Sequence, residues 1–501
     1  MVVSVSVGRQ VAYGLGGLPS QISLNVNAFY INVFLLSVAN MSPVLSGNLL
    51  LIVNIFDAIT DPATGVLSDK TSTRWGRRRP WMAVAVPLMA VSYMLQWQVF
   101  PALESDPATA DLKKMAYYLP IICLGRLAGT MWSIPHAALV MDMSESEDDR
   151  VRLTLLRIAS GFLALIVGLV VVGVILGFYD ESVRDQVIQA YALSSYVLGA
   201  LIVVLGVVSL VFVFEKPLDT VAAFGSDRIG FFKGLSIACR NRAYTMLMIA
   251  ACGCYASLSL VQNNLLMYAE ICLQIDDFTP VLVVLIVATI LFMVVTNWLI
   301  SKKGKKFAFF TGVVGLCVTY LILYLHPPNV LPLAYTMAVI AGFGLSTISF
   351  VPMVMLPDVI DVDELQTGER REGMFYSYAV FIEKVATGVT LAVSNYALGI
   401  AGYDPALETQ PEAVDVTLRV LMSFVPAGLT FFASVLIFFY PLTEKSREET
   451  TLLLVGTREE RVFSNKAFTF FKSNSKADSS SYAMLERGEE TMEDADDPKD
   501  V

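Results

Sequence analysis

The chain has 501 residues, of which 55% are hydrophobic and only 16% charged, and its mean hydropathy is +0.62. Ordinary soluble domains are about 45–50% apolar and about 25% charged, so a string of soluble domains joined by polar linkers is excluded. The net charge of −10 argues against a nucleic-acid partner, and the composition is that of a polytopic helical protein whose solvent is the lipid bilayer.

Twelve apolar segments of about 20 residues or more, enough to cross a hydrocarbon core, follow one another near 10–37, 45–67, 81–101, 115–142, 153–178, 190–214, 243–269, 279–300, 307–327, 330–356, 373–401 and 418–440. Segment 1 places Gln21 and Asn25 on one face. Segment 2, "GNLLLIVNIFDAITDPATGVL", carries Asp57 and Asp61. Four residues apart on a helix, they share a face and repel unless water, a proton or a cation lies between them. Asn54 and Thr60 offer further oxygens nearby. An acid at the bilayer centre costs about 2.5–3.5 kcal/mol on insertion scales, so such residues face a bundle interior and mark ion pathways. Segment 4 holds Arg126 and, seven residues on and thus on much the same face, Ser133. The arginine requires an anionic partner, either a substrate phosphate or carboxylate or one of the aspartates. His136, just after Pro135, reads as packing. Gln262, Asn263 and Asn264 cluster in segment 7, where hydrogen bonds between helices and contact with a substrate explain them equally well.

The loops set the orientation. With the N-terminus inside, the loops on that side carry 18 Lys and Arg, including those of "RWGRRRP" (74–80). The other side has only Lys113, Lys114 and Arg184. Both termini are therefore expected in the cytoplasm. No cleavable signal peptide is evident, residues 1–9 being a short lead into segment 1. The six cysteines lie mostly within or beside apolar segments, with Cys272 alone in an outer loop, so no external disulfide and no metal site is expected. The sequon Asn40-Met-Ser42 sits close to the membrane. Residues 481–501 hold eight acids and two bases, a composition that favours disorder. Glu448 with Leu452-Leu453, and Tyr482 with Leu485, resemble sorting signals; they point to trafficking adaptors as partners and to a eukaryotic protein of the plasma or endolysosomal membrane.

The chain also repeats itself. "GVLSDKTSTRWGRRRPWM" and "WLISKKGKKFAFF" join equivalent segments six spans apart, and "SIPHAALVMDMSESEDDRVR" has its counterpart in "SFVPMVMLPDVIDVDELQTGERREG". The expected organisation is an all-α membrane protein of twelve helices in two six-helix halves, 1–214 and 243–440. A cytoplasmic loop, 215–242, joins the halves, and a disordered acidic tail, 441–501, follows. A binding site between parallel halves near the midplane is the architecture of alternating-access transporters.

Gly65, Asp69 and Lys70 followed by Gly76-Arg77-Arg78 resemble the loop signature of the major facilitator superfamily. "DAITDP", "RWGRRRPW" and "LPDVIDVDELQTGERREGMFYS" (356–377), taken together over residues 10 to 442, resemble the glycoside–pentoside–hexuronide:cation symporters. Melibiose permeases and eukaryotic sodium-dependent lysophosphatidylcholine symporters belong to that family. The resemblance implies that Asp57 and Asp61 bind the coupling cation, sodium or a proton, close to Lys384. A structural ion pair of Asp57 with Lys384 or with Arg157 is the plainer alternative, but two acids and two bases exceed what one pair needs. Where melibiose permeases carry two sugar-gripping aspartates, this chain has Gln21 and Ser133, which lack a charged, bidentate grip. Gln21 and the run Lys384-Val385-Ala386-Thr387-Gly388-Val389 resemble the lysophospholipid symporters, whereas Arg157 and "TGERREG" resemble the bacterial solute symporters.

The expected function is cation-coupled symport of a small organic solute, either glycoside-like or a lysophospholipid-type amphiphile, by a monomer without cofactors. A gradient-independent lipid translocase or scramblase is the alternative. With His136 and His326 as its only histidines, the chain has little material for His-based catalysis, so no enzyme is expected. Gly65, Asp69, Arg77 and Arg78 are expected to act with Asp358 and Asp361 in gating.

Overall fold

The computed structural model describes residues 6–442, apart from 72, 107–108, 145–146, 181–182, 214, 216–230, 276, 368–370, 406 and 408, together with residue 450. Most of the expected central loop and the tail with its sorting patterns lie outside these residues. Fifteen α-helices follow in chain order among the described residues. They are α1 (Val7–Leu15), α2 (Leu18–Val33), α3 (Pro43–Lys70), α4 (Arg79–Gln96), α5 (Ala110–Met143), α6 (Glu147–Leu176), α7 (Arg184–Phe212) and α8 (Phe231–Arg240). After these come α9 (Arg242–Tyr268), α10 (Thr279–Lys303), α11 (Lys305–Leu325), α12 (Leu331–Thr367), α13 (Glu372–Ile400), α14 (Glu412–Met422) and α15 (Phe424–Phe438).

Only helices satisfy every backbone group internally in lipid, which is why these apolar runs fold as they do. Among the described residues nine helical stretches are long and apolar enough to cross a membrane. The sequence reading expected twelve crossings. The other three long helices are α4, α5 and α13, and the last two carry charged residues of the site described below, which lowers their apolarity. Leu291, Val294 and Trp298 on α10, Val211 on α7 and Phe431 on α15 are exposed, an apolar surface that suits lipid rather than water.

Two compact units are distinguished, Met1–Leu356 with Glu372–Tyr440, and Pro357–Arg371 with Pro441–Val501. The boundary therefore does not separate the two expected halves. In the second unit Asp363 and Glu364 are buried. In the first, α3 lies between α13 and α5, and α2 packs on α6 and α9. The α3–α13 contact is close because position 388 is glycine: a Cβ there would stand 2.8 Å from the Asn54 Cβ. Small residues of this kind let membrane helices approach by their backbones. Asn395 Nδ2 donates to Asn32 Oδ1 (2.8 Å), and Tyr396 bonds Asn48, both across the same side of the bundle.

A local geometry occurs twice. α2 and α9 each end in a π-helical turn, Phe34–Val38 and Ala269–Leu273. Met41 N donates to Leu35 O (2.9 Å), and Ile275 N to Ala269 O (3.1 Å). Asn40 and Gln274, just before them, take positive φ of 49° and 53°, which costs an L-residue roughly 1–2 kcal/mol. Each turn is pinned by an arginine. Arg184 donates to Val38 O (2.8 Å) and binds the Glu104 carboxylate, while Arg419 donates to Cys272 O (3.2 Å) and binds Asp415 (2.8 Å). Val38 and Cys272 are 234 positions apart, Arg184 and Arg419 235. Each arginine thus ties together segments about 150 residues apart in the chain.

Candidate functional site

α3 positions the two acids. It starts at Pro43 and runs through Pro62, which has no N–H to give the Ala58 carbonyl one turn back. Asp57 and Asp61 stand one turn apart on the side facing α5 and α13. From α13, Lys384 Nζ lies 2.8 Å from Asp57 Oδ2 and also bonds Asp61 Oδ2. From α5, the Thr130 hydroxyl lies 2.7 Å from Asp61 Oδ1 and 3.2 Å from Asp57 Oδ1. Three helices thus close around one patch of carboxylate oxygen. Asp57 is buried, while the side chains of Asp61 and Lys384 keep 20% and 21% of their exposure, so the cluster opens towards a cavity.

The chemistry of this arrangement is mutual exclusion. The ammonium of Lys384 and a small hard cation suit the same oxygens, since carboxylate and hydroxyl are hard ligands. Two like charges one turn apart are relieved by a positive partner.

Two cavities border the cluster, and a third shares lining residues with them. One, about 130 Å³, is lined by Ser20, Gln21, Asp57, Asp61, Arg126, Thr130, Ser133 and Lys384. A second, about 250 Å³, has walls from α2, α3, α5, α9 and α13, including Asn25, Asn54, Asp57, Arg126, Tyr255, Asn263, Glu383 and Lys384. The third, about 320 Å³, is lined by Gln21, Asn25, Ser133, His136 and Arg157. Gln21, Asn25, Arg126, Ser133 and Asn263, which the sequence singled out, therefore each line at least one of these cavities. Arg126 Nε, Arg157 Nε and Asn263 Nδ2 are buried without a hydrogen-bond partner among the described residues.

Three expected residues are placed as follows. Arg157 is not the ion-pair partner of Asp57: it stands on α6 in the third cavity with Gln21 and Ser133, and among the described residues it is Lys384 that pairs with the acids. Thr60 does not face the acids with its hydroxyl, which donates to the Asp57 carbonyl (3.2 Å), a local helical bond. The Asn54 amide nitrogen donates to its own helix at Leu50 O (2.8 Å), a bond that does not use the amide oxygen, and the residue lines the second cavity with Asp57. His136 is buried, stacked on Tyr13 with ring centroids 4.4 Å apart.

Sequence reasoning missed Thr130, Glu383 and Glu215. Thr130 was accessible, since 126, 130 and 133 follow the i, i+4, i+7 rule of one helix face. Glu383 is an acid inside an apolar run, the very signal used for Asp57. Glu215, which is buried, accepts from the backbone N–H groups of Arg77 (2.9 Å), Arg78 (3.1 Å) and Arg79 (3.2 Å) at the start of α4. A helix N-terminus favours such an anion. Gly76, with φ of 102°, is required there, because any Cβ would collide with that carboxylate. Arg77 Nε also lies 4.0 Å from Glu215, and Arg78 Nη1 donates to Ala138 O (2.5 Å). Gly65 lies within α3 beside Ile134. The side chain of Asp69 lies outside the described residues, and Asp358 and Asp361 belong to the second compact unit.

The family model described as MFS/sugar transport protein matches residues 12–444. Sodium-dependent lysophosphatidylcholine symporter 1 of Gallus gallus is 29% identical over 487 residues, covering 91% of this chain and 90% of its own. The sphingosine-1-phosphate transporter MFSD2B of Xenopus tropicalis is 28% identical over 477 residues, covering 90% and 91%. Among solved structures, a mutant of the nucleoside transporter NupG superposes with a TM-score of 0.65 at 12% identity, covering 86% of this chain and 99% of its own. At that identity the likeness is one of fold.

Proposed function

The chain belongs to the MFS/sugar transport protein family, and from that premise we propose that it is a secondary transporter that couples a sodium or proton gradient to the uptake of an amphiphilic organic solute. The observation that carries this reading is the cluster of Asp57, Asp61, Thr130 and Lys384 opening onto polar cavities. Asp57 and Asp61 would hold the cation, with the Thr130 oxygen beside them, and Lys384 would neutralise the acids after it leaves. Exchange of the two positive charges changes what α13 is tied to on α3, which links ion binding to a movement between helices.

The substrate side is built from Gln21, Asn25, Ser133 and Asn263 with two arginines, Arg126 and Arg157. Neutral amides and a hydroxyl hold a substrate by hydrogen bonds, while the two guanidiniums suit a phosphate or carboxylate. That favours a lysophospholipid-type amphiphile over an uncharged glycoside. Both termini would face the cytoplasm, in the plasma or endolysosomal membrane, with the chain working as a monomer and its tail as a ligand for trafficking adaptors. Nothing in this reading calls for enzymatic chemistry.

The test is uptake into proteoliposomes that contain the full chain, comparing a galactoside with a lysophospholipid under imposed sodium or proton gradients. Lysophospholipid uptake should follow one of the gradients, and the galactoside should not enter. Asp61→Asn keeps the size of the group but removes its charge, so uptake should lose its dependence on the gradient while the protein still inserts. Transport indifferent to both gradients would leave a gradient-independent lipid translocase in place of the symporter, and sodium-driven galactoside uptake would move the substrate class.

A further inference from the structure

α8 stands apart from the cation cluster and from the residues that line the three cavities. It ends where α9 begins, and Asn241 between them is extended, with φ of −77° and ψ of 107°, so neither helix continues the other. The Thr245 hydroxyl, on the first turn of α9, donates to Cys239 O (2.9 Å). Five residues earlier in the chain, Gly234 meets α13. A Cβ there would collide with the Tyr378 hydroxyl, which hydrogen-bonds with the backbone of Leu235. α9 and α13 begin side by side, with Tyr244 Oη donating to Phe375 O (3.0 Å). Five residues of helix measure about 7.5 Å, close to the separation of about 8–10 Å between packed helix axes. α8 therefore runs across the starts of two long helices, which is a course along the membrane surface and not through it.

Its sequence suits that course. Gly234 and Ala238, one turn apart, are buried against the protein, whereas Ser236, Cys239 and Arg240 are exposed. Lys233, Ser236 and Arg240 recur at i, i+3 and i+7, one polar stripe, and the rest of "FFKGLSIACR" is apolar. A helix with an apolar side and a basic stripe belongs at a lipid–water interface. Residues 231–242 hold Lys233, Arg240 and Arg242 and no acid. Arg240 and Arg242 are exposed, and neither has an ion-pair partner among the described residues. Bases next to an apolar flank match the head groups and the acyl boundary of an anionic leaflet together. A soluble acidic partner would answer the charge and leave the apolar flank in water.

We propose that α8 is a membrane-surface helix whose basic stripe holds anionic phospholipid head groups, and that its seat on Tyr378 passes the charge of the leaflet to the start of α13. This requires a bilayer around the chain and is independent of what the chain carries.

Hydrogen–deuterium exchange of the full chain tests this, in nanodiscs of phosphatidylcholine and in discs with about three-tenths phosphatidylserine. In wild type the amides of 235–240 should exchange about tenfold more slowly in the anionic discs, and those of 374–380 should slow as well. Both differences should close at high salt. Lys233→Gln with Arg240→Gln and Arg242→Gln should erase the difference between discs, while Arg240→Lys with Arg242→Lys should keep it. Gly234→Val, which cannot sit on Tyr378, should keep the slowing in α8 and lose it in α13. Equal exchange in the two discs, or a difference that survives high salt or removal of the three charges, would overturn the lipid contact. A slowing in α13 that survives Gly234→Val would overturn the seat on Tyr378. Slow exchange already present in phosphatidylcholine discs, and lost when residues 481–501 are removed, would overturn the lipid contact too and give the face to the acidic tail. If the triple variant fails to fold, the salt response of wild type decides alone. No gradient enters these readouts, so they stand or fall apart from the symport reading.

Discussion

Thr130 is the residue on which the geometry of the acids turns. Its single hydroxyl touches both carboxylates, and its proton can serve only one at a time, leaving an oxygen lone pair towards the space between them. A hydrogen bond to a charged group contributes about 1.5–3 kcal/mol, so Thr130→Val, which keeps the shape, should weaken sodium activation of substrate binding by about tenfold or more. Thr130→Ser should stay within about twofold. An unchanged sodium dependence in the valine variant would remove Thr130 from the cation site. The acids themselves were legible in the sequence, because a charge in an apolar helix has few explanations. Lys384 was legible only through resemblance, since which charges meet across 320 residues of chain depends on packing. Arg157 went the wrong way for the same reason: its residue type is compatible with either the acids or the substrate, and only the placement of α6 decides.

Among the elements, α3 and α13 set the site by their closeness. Gly388→Val should force α13 away from Asn54, since the added carbons have 2.8 Å where ordinary contact needs more. Overpacking of this kind costs typically 1–3 kcal/mol, and both thermal stability and cation affinity should fall together. A variant as stable as wild type would show that the two helices have slack. At the turns after α2 and α9 the arginine pins act on loops. Glu104 illustrates their sign. The hydrogen bond from Arg184 holds its carboxyl below the usual carboxylate range, with the charges of Arg184 and Lys114 adding to the effect against a smaller opposing burial. A depressed folded-state value means stability present above the ordinary carboxylate pKa and lost as pH falls through the lowered one. The stability difference between wild type and Glu104→Gln should therefore exist at neutral pH and shrink as pH falls below the ordinary carboxylate pKa of about 4; a pH-independent difference would show that the pin is not electrostatic. The helices were readable from apolar runs. The π-helical turns were not, because nothing in "FLLSV" or "AEICL" distinguishes a wide turn from a regular one until an arginine from a distant helix takes its carbonyl.

At the scale of the whole molecule, the Arg184 pin joins segments within residues 1–214 and the Arg419 pin segments within 243–440, while Asn32–Asn395, Asn48–Tyr396 and the ion pairs of Lys384 with Asp57 and Asp61 join one range to the other. Any movement of one range against the other therefore has to part the Lys384 ion pairs as well as these hydrogen bonds. The expected gating by Gly65, Asp69, Arg77 and Arg78 with Asp358 and Asp361 belongs to this scale. We propose that Asp69→Asn slows turnover several-fold while substrate affinity in equilibrium binding stays within about twofold; an equal fall in both would assign Asp69 to the binding site instead. The place of Gly388 has a mechanical consequence. It is a tight backbone approach of α13 to α3, and Lys384 lies four residues from it, about 6 Å along the helix, while the start of α13 at Glu372 lies sixteen residues away, about 24 Å. If the helices pivot where they touch, α13 is a lever with arms in the ratio of about four. Parting the lysine from its aspartates by 1 Å swings the helix tip by about 4 Å, so an ion of ordinary size, slipped between three side chains near the fulcrum, has the reach to open a passage at the far end of the arm.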